Sequence, residues 1–172
     1  HLVFTTKLTY SANLGGLAGA DALCESLATA QGLPGAPWKA LLSSSTVDAG
    51  ARLAITAAVY NNNKLGRQVH TLDPNDFWIN RAVISLAFDE AGDPSVGGIR
   101  SFSNTNIDGT KKDPTSTQYC NDWSDNTLNV GGFFFYLTAP SFTAGDWFGQ
   151  LGMVQMGTNC AVNRALTCIN FQ

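Results

Sequence analysis

The chain has 172 residues, of which 44% are hydrophobic and only 13% charged, against about 25% charged in a typical soluble protein. The net charge is −3 and the ten basic residues are scattered, only Lys111 and Lys112 being adjacent, which speaks against a nucleic-acid partner or a polybasic membrane patch. No apolar run approaches the ~20 residues of a membrane helix, so membrane insertion is not expected. Asn, Thr, Ser and Gly replace the missing charge, a composition that suits loops and short strands, and the length fits a single domain over residues 1–172.

Leu2 to Tyr10 is rich in β-branched and aromatic residues and predicts a first strand. From Asn13 a glycine-rich turn leads into a helix in which Leu17, Ala20, Cys24, Leu27 and Ala28 share one apolar face. Asp21 and Glu25 are read as early-turn acids that suit the helix N-terminus, and Gly32 followed by Pro34 stops the helix. Trp38 to Ser43 predicts a central strand, from its apolar run Ala40–Leu42. Ala51 to Tyr60 fits either a short helix or a strand and reads best as a partly irregular segment, Asn61–Asn63 reads as a turn, and Pro74 opens one helical turn through Phe77, Trp78 and Ile79. Strands are predicted over Ala82–Phe88, Ile99–Phe102 and Ala165–Phe171, with turns at Asp89–Asp93 and Asn104–Gly109. The sum is an α+β chain with one main helix and many short strands.

Cys24, Cys120, Cys160 and Cys168 lack the close spacing of a zinc site, and only two histidines accompany them. An even count favours two disulfides and an oxidising compartment; four buried free thiols are the alternative. His1 and His70 are the only imidazoles, and no nucleophile elbow accompanies them. Glu25 and Glu90 are the only glutamates, so a paired-carboxylate glycosidase would have to rest on aspartates; no nucleophile–base–orienter set can be assembled, and catalysis and a cofactor are not expected. Asn104, Asn106 and Asp108 alternate ahead of Gly109 like the start of a calcium loop, but Thr115 stands where such a loop needs its bidentate glutamate. An Asp-Gly hairpin explains the same residues. Gly131–Gln150 carries Phe133, Phe134, Phe135, Tyr136, Phe142, Trp147 and Phe148. Trp147, with Asp146, Phe148 and Asn126, is the candidate ligand-binding set, Trp147 offering a face on which a sugar ring can stack. A core position for Trp147 is the competing reading.

The segment GLAGADALCESLATAQGL, the KALLSS strand, the Tyr119–Trp123 element and the Cys168–Gln172 end together resemble a known pattern. They are similar to the endostatin-like domains at the ends of certain collagens, and to a bacterial family of unknown function that shares their pattern. The resemblance implies a C-type-lectin-like fold, its helix packed on short, mostly antiparallel strands. It implies two nested disulfides, Cys24–Cys168 and Cys120–Cys160. Endostatin's heparin binding does not carry over, because this chain is acidic; its zinc site does not either, because only His1 lies near the N-terminus. The calcium motifs of sugar-binding lectins are absent in order and place. What the resemblance implies is a secreted or cell-surface module for adhesion or for recognition of a glycan or protein ligand. The alternative is an oligomerisation domain, a trimer for example, at the end of a fibre.

Overall fold

A computed structural model of the chain describes residues 1–67, 69–71, 73–78, 88–94, 99–106, 108–111, 120–127, 134–137 and 160–171. Its elements in chain order are β1 (Leu2–Thr5), α1 (Gly16–Ala30), β2 (Trp38–Ala40), α2 (Ala49–Arg52), β3 (Val59–Asn61), β4 (Val69–Thr71), a 3-10 turn (Pro74–Phe77), β5 (Ile99–Phe102), a helical turn (Cys120–Trp123), β6 (Phe134–Leu137) and β7 (Thr167–Asn170). The expected strand over Ala82–Phe88 lies outside the described residues except for Phe88, which forms a single bridge to Pro94.

Five strands form one mixed sheet in the order β2-β7-β1-β3-β4, and β5 and β6 pair separately. β1 and β7 run antiparallel with Phe4 opposite Cys168, so the two ends of the chain meet in the middle of the sheet. Among the described strands β1 and β3 are the parallel pair, Val3 opposite Asn61; the other strand pairings are antiparallel, and a single parallel bridge joins Ser101 to Ala165.

Side chains alternate across a strand, and the two central strands use both faces. Leu2, Phe4, Ala40 and Cys168 join one buried cluster with Ala20, Cys24 and Ala28 of α1. Val3, Leu41 and Ile169 join a second on the other face, with Ala49, Leu53 and Phe77. The apolar face predicted for α1 is therefore the one it buries, Leu17 and Leu27 packing at its margin.

Three expectations need correction. β1 ends at Thr5, short of Tyr10, because the Thr6 hydroxyl turns the chain by donating to the Leu8 carbonyl at 2.7 Å. Among the described strands β2 is an edge strand, with β7 its one partner; there its burial comes from α1 and not from a second neighbouring strand. And Asp21 and Glu25 do not serve the helix terminus, the first turn of α1 holding no acid.

Their carboxylates instead cap that edge. The outward amide of Trp38 donates to Glu25 Oε2 at 2.7 Å and that of Ala40 to Asp21 Oδ1 at 2.9 Å. Asp21 also receives Arg52 Nη1 on both oxygens, at 2.9 and 2.7 Å, while Arg52 Nη2 donates to the Ala40 carbonyl. Side-chain carboxylates thus stand where another strand would dock, which blunts an exposed edge. Asp21→Ala orphans an edge amide and leaves a guanidinium that is only 11% exposed without its partner. Allowing for that partial exposure, it is expected to lower stability by about 2 kcal/mol in chemical denaturation. Asp21→Asn, which keeps an acceptor, should cost less.

Candidate functional site

The candidate residues of the aromatic stretch belong to the segment between Cys120 and Cys160, so the geometry that matters first is how that segment is held. Cys120 and Cys160 are disulfide-bonded with Cα atoms 5.6 Å apart, and Cys24 is bonded to Cys168. The pairing is the nested one that the resemblance implies. Both inner cysteines are fully buried.

Cys120 opens a turn of unusual hand. Cys120, Asn121, Asp122 and Trp123 all have positive φ, between 51° and 66°. Left-handed helical backbone costs roughly 1–2 kcal/mol per non-glycine residue, so this turn must be held by its surroundings. Four anchors do so. The Trp123 indole is buried, donates to the Ser43 carbonyl at 2.8 Å and packs edge-on against Phe102. Its own carbonyl accepts the Leu14 amide at 2.8 Å. The Asp122 carboxylate accepts the amide and the hydroxyl of Ser45, each at 2.7 Å. The disulfide is the fourth.

The other end is fixed as well. The Cys160 carbonyl accepts the Ala12 amide at 3.0 Å, and Tyr10 and Arg164 exchange two backbone hydrogen bonds of 2.8 Å. The stem of the 120–160 segment is therefore tied to the entry of α1, to the loop after β2 and to the strand end before β7. Asn126 lies just past the turn and is exposed. Asp146, Trp147 and Phe148 lie outside the described residues.

Asn104, Asn106 and Asp108 fall on a tight hairpin closed by a bridge between Thr105 and Lys111. Asn106 exchanges its amide and carbonyl with Thr110 and Gly109, and its side-chain amide donates to Thr110 Oγ1 at 3.0 Å. Asp108 Oδ1 accepts the Thr110 amide at 3.0 Å and hydroxyl at 2.6 Å. Asn104 is buried in the left-handed region, φ 50°. The side chains of Asn106 and Asp108 serve the hairpin, and the described residues hold no group of three or more His, Cys, Asp or Glu that could share a metal ion. The hairpin is docked on α2: Asp48 Oδ1 accepts the Lys111 amide at 2.7 Å, and Gly50 donates to the Gly109 carbonyl at 2.8 Å.

The two hydrogen bonds from Thr110 hold the Asp108 carboxyl below the ordinary aspartate range. A depressed carboxyl stabilises the fold above its unfolded value, and that contribution is lost as pH falls through the folded one. An NMR titration should find Asp108 titrating below an unfolded aspartate, and Thr110→Ala should move the midpoint upward.

His1 is not free to act as a base. Its Nδ1 sits 2.7 Å from the Asn170 carbonyl and its Nε2 accepts the Thr56 amide at 3.2 Å. The side chain of His70, on β4, lies outside the described residues.

The left-handed turn and the carboxylate-capped edge leave little trace in the sequence. The only signal for the first was Asn121–Asp122, the residue types that best tolerate positive φ. The second had none short of the three-dimensional contact.

Two disulfides are compatible with an extracellular domain, and among the described residues no helix is long and apolar enough to cross a membrane. No curated protein matches the chain. The family model of a protein of unknown function, DUF1554, matches residues 7–139, from just after β1 to just beyond β6. With well over half of its length inside that match, the chain belongs to the DUF1554 family.

Proposed function

We propose that the chain is a secreted or cell-surface binding module of C-type-lectin-like architecture. It works without catalysis and recognises a glycan or protein ligand through the segment between Cys120 and Cys160. The observation that carries this reading is the anchored stem: disulfide, buried tryptophan, Asp122 and the Ala12 contact fix both ends of that segment. A segment held at its ends loses less conformational freedom on binding, which favours recognition.

The composition points to the kind of ligand. Between the two cysteines there is no Lys or Arg, and Asp122, Asp125 and Asp146 are the only acids. Asp122 is already engaged with Ser45. Besides Asp125 and Asp146, what remains for contact is aromatic and amide side chains, suited to neutral hydroxylated ligands such as uncharged sugars. The C-type-lectin-like assignment is supported by the adjacency of first and last strands and by the nested order of the disulfides. Since a fold does not fix a function, the test is binding itself. The protein is expected to run as a monomer in light scattering and to give reproducible signals for neutral glycans on a printed array. A stable trimer that binds no glycan and no protein would instead favour the fibre-end role.

A further inference from the structure

Away from that segment, an open cleft of about 320 Å³ lies between the end of α1 and the two turns at residues 62–67 and 89–93. That volume falls in the range of small-molecule sites. Gln31 and Leu33 form one wall, Asn62, Lys64 and Arg67 the second, and Glu90 the third.

The two turns are stitched together before any ligand arrives. The Asn62 side-chain amide donates to the carbonyls of Asp89 and Glu90, at 2.9 and 3.1 Å, and the Lys64 amide donates to the Gly92 carbonyl at 3.0 Å. Gly92 has φ +79°, and a Cβ there would lie 2.8 Å from both the Asn62 carbonyl oxygen and Lys64 Cβ. Only glycine lets the turns close on each other in this way.

The charges on the cleft are unevenly matched. Lys64 is paired with Asp93. Glu90 is buried, 8% exposed, and its Oε2 accepts the Lys7 amide at 2.8 Å, yet among the described residues it makes no ion pair. Arg67 is exposed and likewise makes no ion pair among them. Glu90 and Arg67 therefore line the same cleft, and among the described residues neither is ion-paired, with each other or with another residue. Burying a carboxylate without a counter-charge is unfavourable, and an arginine presents a planar fork suited to a carboxylate.

We propose that this cleft binds a small zwitterion of the α-amino acid class, its ammonium group on Glu90 and its carboxylate on Arg67. The side-chain oxygen of Asn62, whose amide nitrogen is fully used, is the further acceptor for the ammonium group. A simple anion would gain Arg67 but meet the charge of Glu90, and a simple cation would meet the reverse. Only a ligand carrying both charges uses the whole site. The inference is independent of the role given to the 120–160 segment.

The test is calorimetric titration of the full chain with each standard free amino acid, and with acetate and methylammonium as the two half-ligands. At least one amino acid should bind saturably at millimolar affinity or better, and neither half-ligand should bind as well. Glu90→Gln and Arg67→Gln should each weaken that binding about tenfold or more, as loss of a charged hydrogen bond implies. Arg67→Gln alters an exposed side chain, so it remains informative if Glu90→Gln fails to fold. Failure of every amino acid to bind overturns the proposal. So does binding of acetate as strong as that of any amino acid, or affinity unchanged in a variant that melts like the wild type.

Discussion

Replacing Cys24 and Cys168 together by alanine is expected to lower stability by about 5 kcal/mol, the loop-entropy value for a closure of this length. The bond spans 144 residues of sequence and joins α1 to β7, the strand on which the first and last segments of the chain meet. The inner bond spans only 40 residues, and removing Cys120 and Cys160 should cost about 4 kcal/mol by the same reckoning. The inner pair should also release the turn at Cys120–Trp123, whose positive φ values it helps to hold. Chemical denaturation of both double variants measures the difference. An outer-bond variant as stable as the wild type would show that the sheet needs no tie between helix and last strand.

Gly19→Ala is expected to destabilise the protein by about 3 kcal/mol, although helix propensity alone would favour alanine over glycine by about 1 kcal/mol. The reason is a close approach. A Cβ at residue 19 would lie 2.0 Å from the Leu14 carbonyl oxygen, a backbone atom that cannot swing aside like a side-chain end. Gly15 and Gly16, at φ 77° and 75°, fold the entry of α1 back over its own first turn and create that contact. Moving Leu14 would also strain its hydrogen bond to the Trp123 carbonyl, so the damage should reach the stem of the 120–160 segment. A raised melting temperature for Gly19→Ala would contradict this geometry.

How much of this could be read beforehand depends on whether the signal is local. The apolar face of α1 was legible because Ala20, Cys24 and Ala28 recur at helical spacing, and they are the residues the helix buries. The stop was legible too: Gly32 takes φ 63° and the Leu33 amide returns to the Ala28 carbonyl at 2.9 Å. The position of β2 was not, because a buried apolar run looks the same whether a strand or a helix covers it. Asp21 and Glu25 suited the helix dipole by sequence position, but their partners lie 13 to 31 residues away. The parallel pairing of β1 with β3 leaves no local mark, since parallel strands are brought together by a long crossover. Of the candidate ligand-binding residues, Asn126 is exposed beside the stem, and Asp146, Trp147 and Phe148 are known by their sequence context alone.

The recognition role is tested most directly by comparing the wild type with Trp147→Ala on the same glycan array, with thermal melts of both proteins. If Trp147 is a stacking surface, binding should fall by about tenfold or more, as expected for one lost aromatic contact of 1–3 kcal/mol, while the melting temperature stays close to that of the wild type. A core tryptophan behaves in the opposite way, its truncation costing about 3–5 kcal/mol. A steep loss of melting temperature, with binding per folded molecule unchanged, would contradict recognition through this segment.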